Sequence, residues 1–168
     1  MTTPILIAGG VALFLGAIGG LMTPIDDWYG SLRKPALQPA NWLFGPAWTI
    51  ILALAAWSAV IAWNAAPDDA ARRSVIILFG VNAVCHFLWS PLFFRLRRPD
   101  WALVEVIFLW ASLVALVAGL WPISHQASLL IVPYLLWVSF ASWLNWMIVR
   151  LNRPFGRGPV LADRPASS

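Results

Sequence analysis

Residues 101–121 read WALVEVIFLWASLVALVAGLW, an apolar run in which Glu105 is the only ionisable side chain. A helix that crosses the bilayer core needs about 20 mostly apolar residues, and this run is long enough to cross it. The run is continuously apolar and does not alternate with polar residues, which argues against a strand of a membrane β-barrel. We therefore predict a transmembrane helix here.

The rest of the chain repeats this pattern. Hydrophobic residues make up 61% and charged residues 11%, which excludes both a soluble globular domain and a disordered chain. The predicted architecture is all-α, a polytopic membrane protein with a five-transmembrane-helix bundle. The predicted domain is residues 1–152, the remaining 153–168 form a flexible C-terminal tail, and the spans lie at about 4–23, 42–63, 73–94, 101–121 and 128–149.

The basic residues predict the orientation of these spans. With five spans, nine of the eleven Lys and Arg residues share one side of the membrane: Arg33, Lys34, Arg95, Arg97, Arg98, Arg150, Arg153, Arg157 and Arg164. The positive-inside rule places that side, and the C-terminus, in the cytoplasm, with the N-terminus outside. We expect a bacterial inner membrane, contact of the C-terminal tail with anionic lipid headgroups, and no nucleic-acid partner. No basic residue precedes the first span, so we expect a retained helix and not a cleaved signal peptide.

Familiar enzyme motifs do not occur. The single cysteine, Cys85, excludes an internal disulfide and a CxxC site. The sequence has no GxGxxG, Walker A, HExxH or GxSxG motif. We expect no required cofactor and no metal site made by protein ligands alone.

Small residues recur at every fourth position of the first span, at Ala8, Ala12, Gly16 and Gly20. This spacing puts them on one helix face, where two helix backbones can approach closely. The face either packs inside the bundle or forms the seam of a homodimer.

Polar and aromatic residues share faces in three spans. Glu105 lies four residues after Trp101, and a carboxylate near a helix centre costs about 2.5–3.5 kcal/mol to insert. Asn82 and His86 share a face of the third span. The fifth span carries a similar stripe at Tyr134, Trp137, Ala141 and Asn145. These faces either line an inward ligand cavity, together with some of the twelve tryptophans, or only hydrogen-bond the helices to one another.

The first connection, residues 26–41, reads DDWYGSLRKPALQPAN. Its prolines, glycine and mixed charges predict that no regular helix forms here, while Trp28, Tyr29 and Leu32 supply apolar surface to bury. We predict a folded lid over one end of the bundle.

Five ordered motifs resemble the tryptophan-rich sensory protein/translocator protein family, TspO/MBR, from about residue 5 to residue 154. They are Trp28-Tyr29-x-x-Leu32-x-Lys34-Pro35, Pro39-x-x-Trp42-x-x-Gly45-Pro46-x-Trp48, Trp89-x-Pro91-Leu92-Phe93-Phe94, Trp101-Ala102-Leu103-Val104, and Pro133-Tyr134-Leu135-x-Trp137 with Leu144-Asn145. The resemblance implies a five-helix bundle, commonly dimeric, that binds porphyrins such as protoporphyrin IX and haem, sterols and benzodiazepine-type ligands. It also implies a role in tetrapyrrole metabolism or stress.

The resemblance also implies roles for individual residues. It places ligand contacts at Tyr29, Trp48, Asn82, His86, Trp101, Glu105, Trp137 and Ala141. Trp48 and Trp137 match the tryptophans tied to light-dependent porphyrin degradation in some relatives. Trp146 stands where the family's sterol motif has Tyr, which weakens the expectation of sterol binding.

His86 stands where the family pattern has Asn. A neutral imidazole is a good ligand for haem iron, and Asn82, one turn earlier, is the expected partner of its second nitrogen. The alternative is that His86 hydrogen-bonds to a neighbouring helix in place of the amide.

Three functions follow from these observations. The first is a receptor or transporter-like protein that binds porphyrins in a Trp-lined cavity. The second is an enzyme that oxidatively degrades protoporphyrin IX in light, with tryptophan as redox partner. The third is a structural membrane protein whose polar faces only fix helix packing.

Overall fold

A computed structural model describes residues 2–155. Five long helices are apolar enough to cross a membrane, so the predicted all-α architecture is confirmed. They are α1 (Thr2–Leu21), α3 (Asn41–Ala65), α4 (Asp69–Ser90), α5 (Pro99–Leu120) and α6 (His125–Asn152), and a five-residue helix α2 (Asp27–Ser31) lies between the first two. The predicted tail falls mostly on residues 156–168, outside the described part of the chain.

Side-chain caps explain why two spans begin before the apolar run does. The Asp68 carboxylate accepts a hydrogen bond from Ala71 N–H at 2.8 Å, so α4 starts at Asp69 and not near Arg73. Ser124 Oγ accepts from Ala127 N–H at 3.2 Å, so α6 starts at His125 and not at Ser128. At its other end α4 continues into a π-helical turn, Pro91–Arg95. Hydropathy locates the membrane-embedded part of a helix, whereas caps locate its first residue.

The helices form a ring in the order α1, α3, α6, α5, α4. The extensive contacts are those of α5 with α4 and α6, of α3 with α6, and of α1 with α3, whereas α1 and α4 meet only sparsely. The core follows α5, where Leu113, Leu116 and Leu120 are fully buried. Helix α1, in contrast, buries none of its side chains.

Polar side chains join the helices inside the bundle. Ser58 Oγ of α3 donates to Ala127 O of α6 at 2.7 Å, and Ser128 Oγ of α6 donates to Val117 O of α5 at 2.6 Å. Asn82 Nδ2 of α4 donates to Ser112 Oγ of α5 at 2.9 Å. In hydrocarbon such bonds contribute about 0.6 kcal/mol each. These hydrogen bonds fix the positions of the helices relative to one another, which lipid contact alone does not determine.

A matched pair of alanines tests this packing. Ala62 is fully buried between helices, and Ala115 of α5 is exposed on the bundle surface. We expect Ala62→Leu to destabilise the folded bundle by about 1–3 kcal/mol because the added carbons have no space, and Ala115→Leu to leave stability nearly unchanged. Thermal unfolding of the detergent-solubilised protein measures both, and equal midpoints would contradict the described interior.

Candidate ligand-binding site

A cavity of about 900 Å³ lies inside the ring of helices, lined mainly by α1, α3 and α6 and also by residues of α4 and α5. Ligand pockets in proteins are typically about 300–1,000 Å³, so this one is at the upper end. None of the described residues that line it carries a formal charge. Its wall includes residues from Asn41 to Val60 of α3, a length of about 28 Å along a helix. The cavity therefore reaches from one end of the bundle deep into its apolar centre.

Small residues on α1 keep this space open. Ala12, Gly16 and Gly20 of the predicted stripe lie on the cavity wall. A Cβ added at Gly20 would meet no atom within 4 Å, and one added at Gly16 would touch only Leu52, at 3.6 Å. Three of the four stripe residues thus face the interior of one chain, and Ala8 lies half-buried beside them. A homodimer seam along this stripe stays a prediction.

The aromatic part of the wall gathers around Trp48. Its ring lies edge-on to Trp137 at a centroid distance of 6.2 Å and edge-on to His86 at 4.9 Å. The ring of Phe44 lies 5.7 Å from that of Trp137. Ala141, one turn after Trp137, also lines the cavity and adds little side-chain volume. Edge-to-face contacts of this kind hold the rings in fixed orientations, which presents flat surfaces to a ligand.

Residues 26–41 close one end of the cavity. The segment contains α2, a short helix that the sequence reasoning excluded. Asp26 accepts a hydrogen bond from Tyr29 N–H at 3.0 Å, and Lys34 Nζ donates to Tyr29 O at 2.6 Å, so both ends of α2 are capped. The hydrogen bond from Tyr29 N–H, together with Arg97, also lowers the pKa of Asp26.

Aromatic packing holds this lid against the bundle. The Tyr29 ring is buried 5.4 Å from Phe94, and Leu32 joins the same apolar cluster. Gln38 Nε2 donates to the Tyr29 hydroxyl at 2.9 Å, and both residues line the cavity. Burial raises the pKa of the Tyr29 phenol, which keeps it neutral.

Two polar contacts fasten the lid to the ends of other helices. Asn152 of α6 accepts from Arg33 N–H and donates to Arg33 O, each at 2.8 Å. The Arg97 guanidinium pairs with Asp26 at 3.0 Å. These contacts bring the first connection, the third connection and the end of α6 to the same end of the bundle.

Three residues predicted to line the pocket lie elsewhere. Trp101 is 52% exposed on the bundle surface, and the Arg98 guanidinium covers its ring at 4.3 Å from the centroid. Asn82 is buried at the α4–α5 contact, where its side-chain amide donates a hydrogen bond to Ser112. Glu105 is buried without a hydrogen-bond partner among the described residues, and it does not line the cavity. A polar residue in an apolar helix predicts that its side chain is buried. It does not predict whether the side chain faces the cavity or a contact between helices.

His86 lines the cavity, but Asn82 is not its partner. Its Nδ1 lies 2.8 Å from the hydroxyl oxygen of Tyr134 on α6, which is 2% exposed. Asn145, another residue of the predicted α6 stripe, bonds to Pro99 O and Leu103 N of α5, each at 3.1 Å, when its amide is oriented to satisfy both. In the α6 stripe, Trp137, Ala141 and Asn145 line the cavity, and Tyr134 does not; Asn145 also bonds to α5.

Many residues of the wall were not among the predicted ligand contacts, and Gln38, Phe44 and Trp89 are examples with polar or aromatic side chains. The indole N–H groups of Trp89 and Trp137 are buried without an acceptor among the described residues, and the Gln38 side-chain oxygen is buried without a donor. Trp89 stood in a recognised motif and well inside a span, which was a usable signal. The side chains of Gln38 and Phe44 give no periodic signal.

Comparison with known proteins identifies relatives that are similar to this protein over most of its chain. A family model described as the TspO/MBR family matches residues 8–151. A "Tryptophan-rich protein TspO" of Archaeoglobus fulgidus is 38% identical, covering 83% of this chain and 91% of the relative. A protein of the same name from Chlorobaculum tepidum is 34% identical over 85% and 92%. The "Translocator protein" of Homo sapiens is 27% identical over 81% of each chain.

The two hydrogen bonds between Asn152 and the Arg33 backbone are expected to hold the lid on the bundle. Asn152→Ala removes both hydrogen bonds to the Arg33 backbone, so we expect faster amide hydrogen exchange over residues 27–40 while the exchange of α5 stays unchanged. Asn64→Ala, which truncates an exposed asparagine of α3, is the control. Equal exchange of the lid in both variants would show that Asn152 does not hold it.

Proposed function

The chain belongs to the TspO/MBR family, and from that premise we propose that it is a receptor or transporter-like membrane protein that binds porphyrins in the cavity beneath its lid. The observation that carries the proposal is the uncharged aromatic wall around Trp48. A porphyrin is flat and apolar across its faces, and fixed indole rings offer the complementary surface. The volume of about 900 Å³ also suits a ligand of that class.

The ends of the cavity suggest how such a ligand would lie. A carboxylate is costly to bury in an uncharged cavity, so the propionates of a porphyrin belong at the lid end. There Lys34 and Arg33 supply positive charge. The unpartnered N–H groups of Trp89 and Trp137 favour a ligand with hydrogen-bond acceptors.

Light-dependent degradation of protoporphyrin IX is the second candidate function. The contact between Trp48 and Trp137, with centroids 6.2 Å apart, favours it. Both indoles line the cavity, where they would contact a light-excited porphyrin. Tetrapyrrole metabolism or stress is then the process that either function would serve.

Exchange of both tryptophans for phenylalanine tests the site. Trp48→Phe with Trp137→Phe removes two indole surfaces, each worth about 0.5–1.5 kcal/mol. We expect the affinity for protoporphyrin IX, titrated in the dark by its Soret absorbance, to fall about tenfold. The matched control is Trp101→Phe with Trp121→Phe, since neither ring lines the cavity.

Equal losses in both double variants would contradict the proposed site, and no binding by the wild type would leave only the structural role. The same samples under illumination address the second function. Light-dependent loss of porphyrin absorbance in the wild type, abolished in the Trp48/Trp137 variant, supports degradation.

Orientation in the membrane is a further part of the proposal. The basic residues of the first connection, of the third connection and of the end of α6 lie at the lid end of the bundle. The Arg97–Asp26 and Asn152–Arg33 contacts bring these three segments together. The positive-inside rule then favours a cytoplasmic lid and C-terminus, in a bacterial inner membrane.

A reporter fused after Ser168 tests this orientation. We expect a cytoplasm-active reporter to work there and a periplasm-active reporter to be silent. Activity of the periplasmic reporter at the C-terminus would reverse the assignment.

A further inference from the structure

The imidazole of His86 is held rigidly at the cavity wall. The hydroxyl of Tyr134 lies 2.8 Å from Nδ1, and the ring of Trp48 packs edge-on at a centroid distance of 4.9 Å. Tyr134 is itself packed edge-on against Trp48, with centroids 5.9 Å apart. The three rings therefore fix one another, and the histidine has little freedom to rotate away.

The hydrogen bond to Tyr134 engages Nδ1, and the tautomer of the ring decides which of the two groups donates. A neutral imidazole has one N–H donor and one nitrogen with a free lone pair. In the tautomer whose Nδ1–H donates to the Tyr134 oxygen, Nε2 carries the lone pair, and binding of a metal at Nε2 selects this tautomer. No described residue hydrogen-bonds to Nε2. The ring thus presents an unused σ-donor in an apolar cavity.

We propose that His86 Nε2 is an axial ligand for the iron of a metalloporphyrin, so that the cavity prefers iron porphyrin to the metal-free ring. The proposal rests on the porphyrin binding proposed above and names the class of porphyrin. Nε2 donates its lone pair to iron and displaces a water ligand, with no change in oxidation state and no covalent bond broken within the protein.

Other cavity residues do not compete with His86 for iron. Among the described lining residues, His86 carries the only imidazole, and none carries a thiol. Tyr29 lines the cavity, but its raised pKa keeps the phenol protonated and therefore a poor ligand. The other histidine, His125, stacks on Trp121 at 4.2 Å and does not line the cavity.

Tyr134 acts as a positioning residue. A hydrogen-bond acceptor on the second nitrogen orients a ligating histidine and raises its basicity. Asn82, expected in this role, instead bonds Ser112. Loss of the Tyr134 hydroxyl should therefore weaken the iron–imidazole bond without removing it.

The test uses the full-length protein in detergent, in the dark, with ferric haemin and metal-free protoporphyrin IX as separate probes. In the wild type we expect the Soret band and electron paramagnetic resonance of an imidazole-ligated haem. His86→Asn should abolish that signature and weaken haemin binding at least tenfold, while protoporphyrin affinity changes by less than about twofold. His125→Asn, the matched control, should behave as the wild type.

Two further variants separate ligation from packing. His86→Gly should regain the imidazole-ligated spectrum when imidazole is added to the buffer. Tyr134→Phe should keep the ligated spectrum but lower the iron–imidazole stretching frequency of the ferrous form in resonance Raman spectra. An unchanged frequency would contradict the positioning role of Tyr134.

An identical haem spectrum in wild type and His86→Asn would overturn the proposal. An equal loss of both probes in His86→Asn would also overturn it, because His86 would then act through packing and not through iron. If wild type binds neither probe, it is the proposed porphyrin function that fails. Binding of protoporphyrin without an imidazole-ligated haem leaves that function standing and removes only the axial ligand.

Discussion

The small side chains on the inner face of α1 are the constraint on which the cavity depends. In water, the hydrophobic effect would drive the helices together and close a space between them. In lipid this driving force is absent, so packing of side chains alone decides whether the space closes. Where α4, α5 and α6 meet, large side chains such as Leu113 and Leu116 fill the interior. A Cβ added at Gly20 would meet no atom within 4 Å, and one added at Gly16 would meet only Leu52. The space that remains is bounded by backbone on one side and by the rings around Trp48 on the other.

The lid and the aromatic wall depend on each other through residues that serve both. Tyr29 packs on Phe94 beneath the lid, and its hydroxyl meets Gln38 at the rim of the cavity. Trp89 packs on Phe93 and Phe94 below the lid and also lines the cavity. Polar contacts at the outside, from Asn152 and Arg97, fasten the lid without placing charge inside. A ligand that enters this cavity therefore meets a wall whose described residues carry no formal charge.

Sequence alone predicted the fold because long apolar runs leave helices as the only way to satisfy the backbone in lipid. Of the predicted ligand contacts, Tyr29, Trp48, His86, Trp137 and Ala141 line the cavity, whereas Asn82, Trp101 and Glu105 do not. Trp101 lies in the first turn of α5, where Arg98 covers its ring at the bundle surface. Helix α2 was missed although Asp26 is a common N-cap residue and Asp27 a favourable first-turn residue. The partner of His86 is on another helix, which spacing along α4 cannot reveal.

Indole N–H resonances in a nitrogen-15 NMR spectrum test the central claim most directly, since each tryptophan reports its own surroundings. Titration with protoporphyrin IX in the dark should shift the resonances of Trp48, Trp89 and Trp137, which line the cavity. The resonances of Trp101 and Trp121, both about half-exposed on the surface, should stay in place. Shifts confined to Trp101 and Trp121, with the cavity tryptophans unmoved, would contradict a porphyrin site beneath the lid.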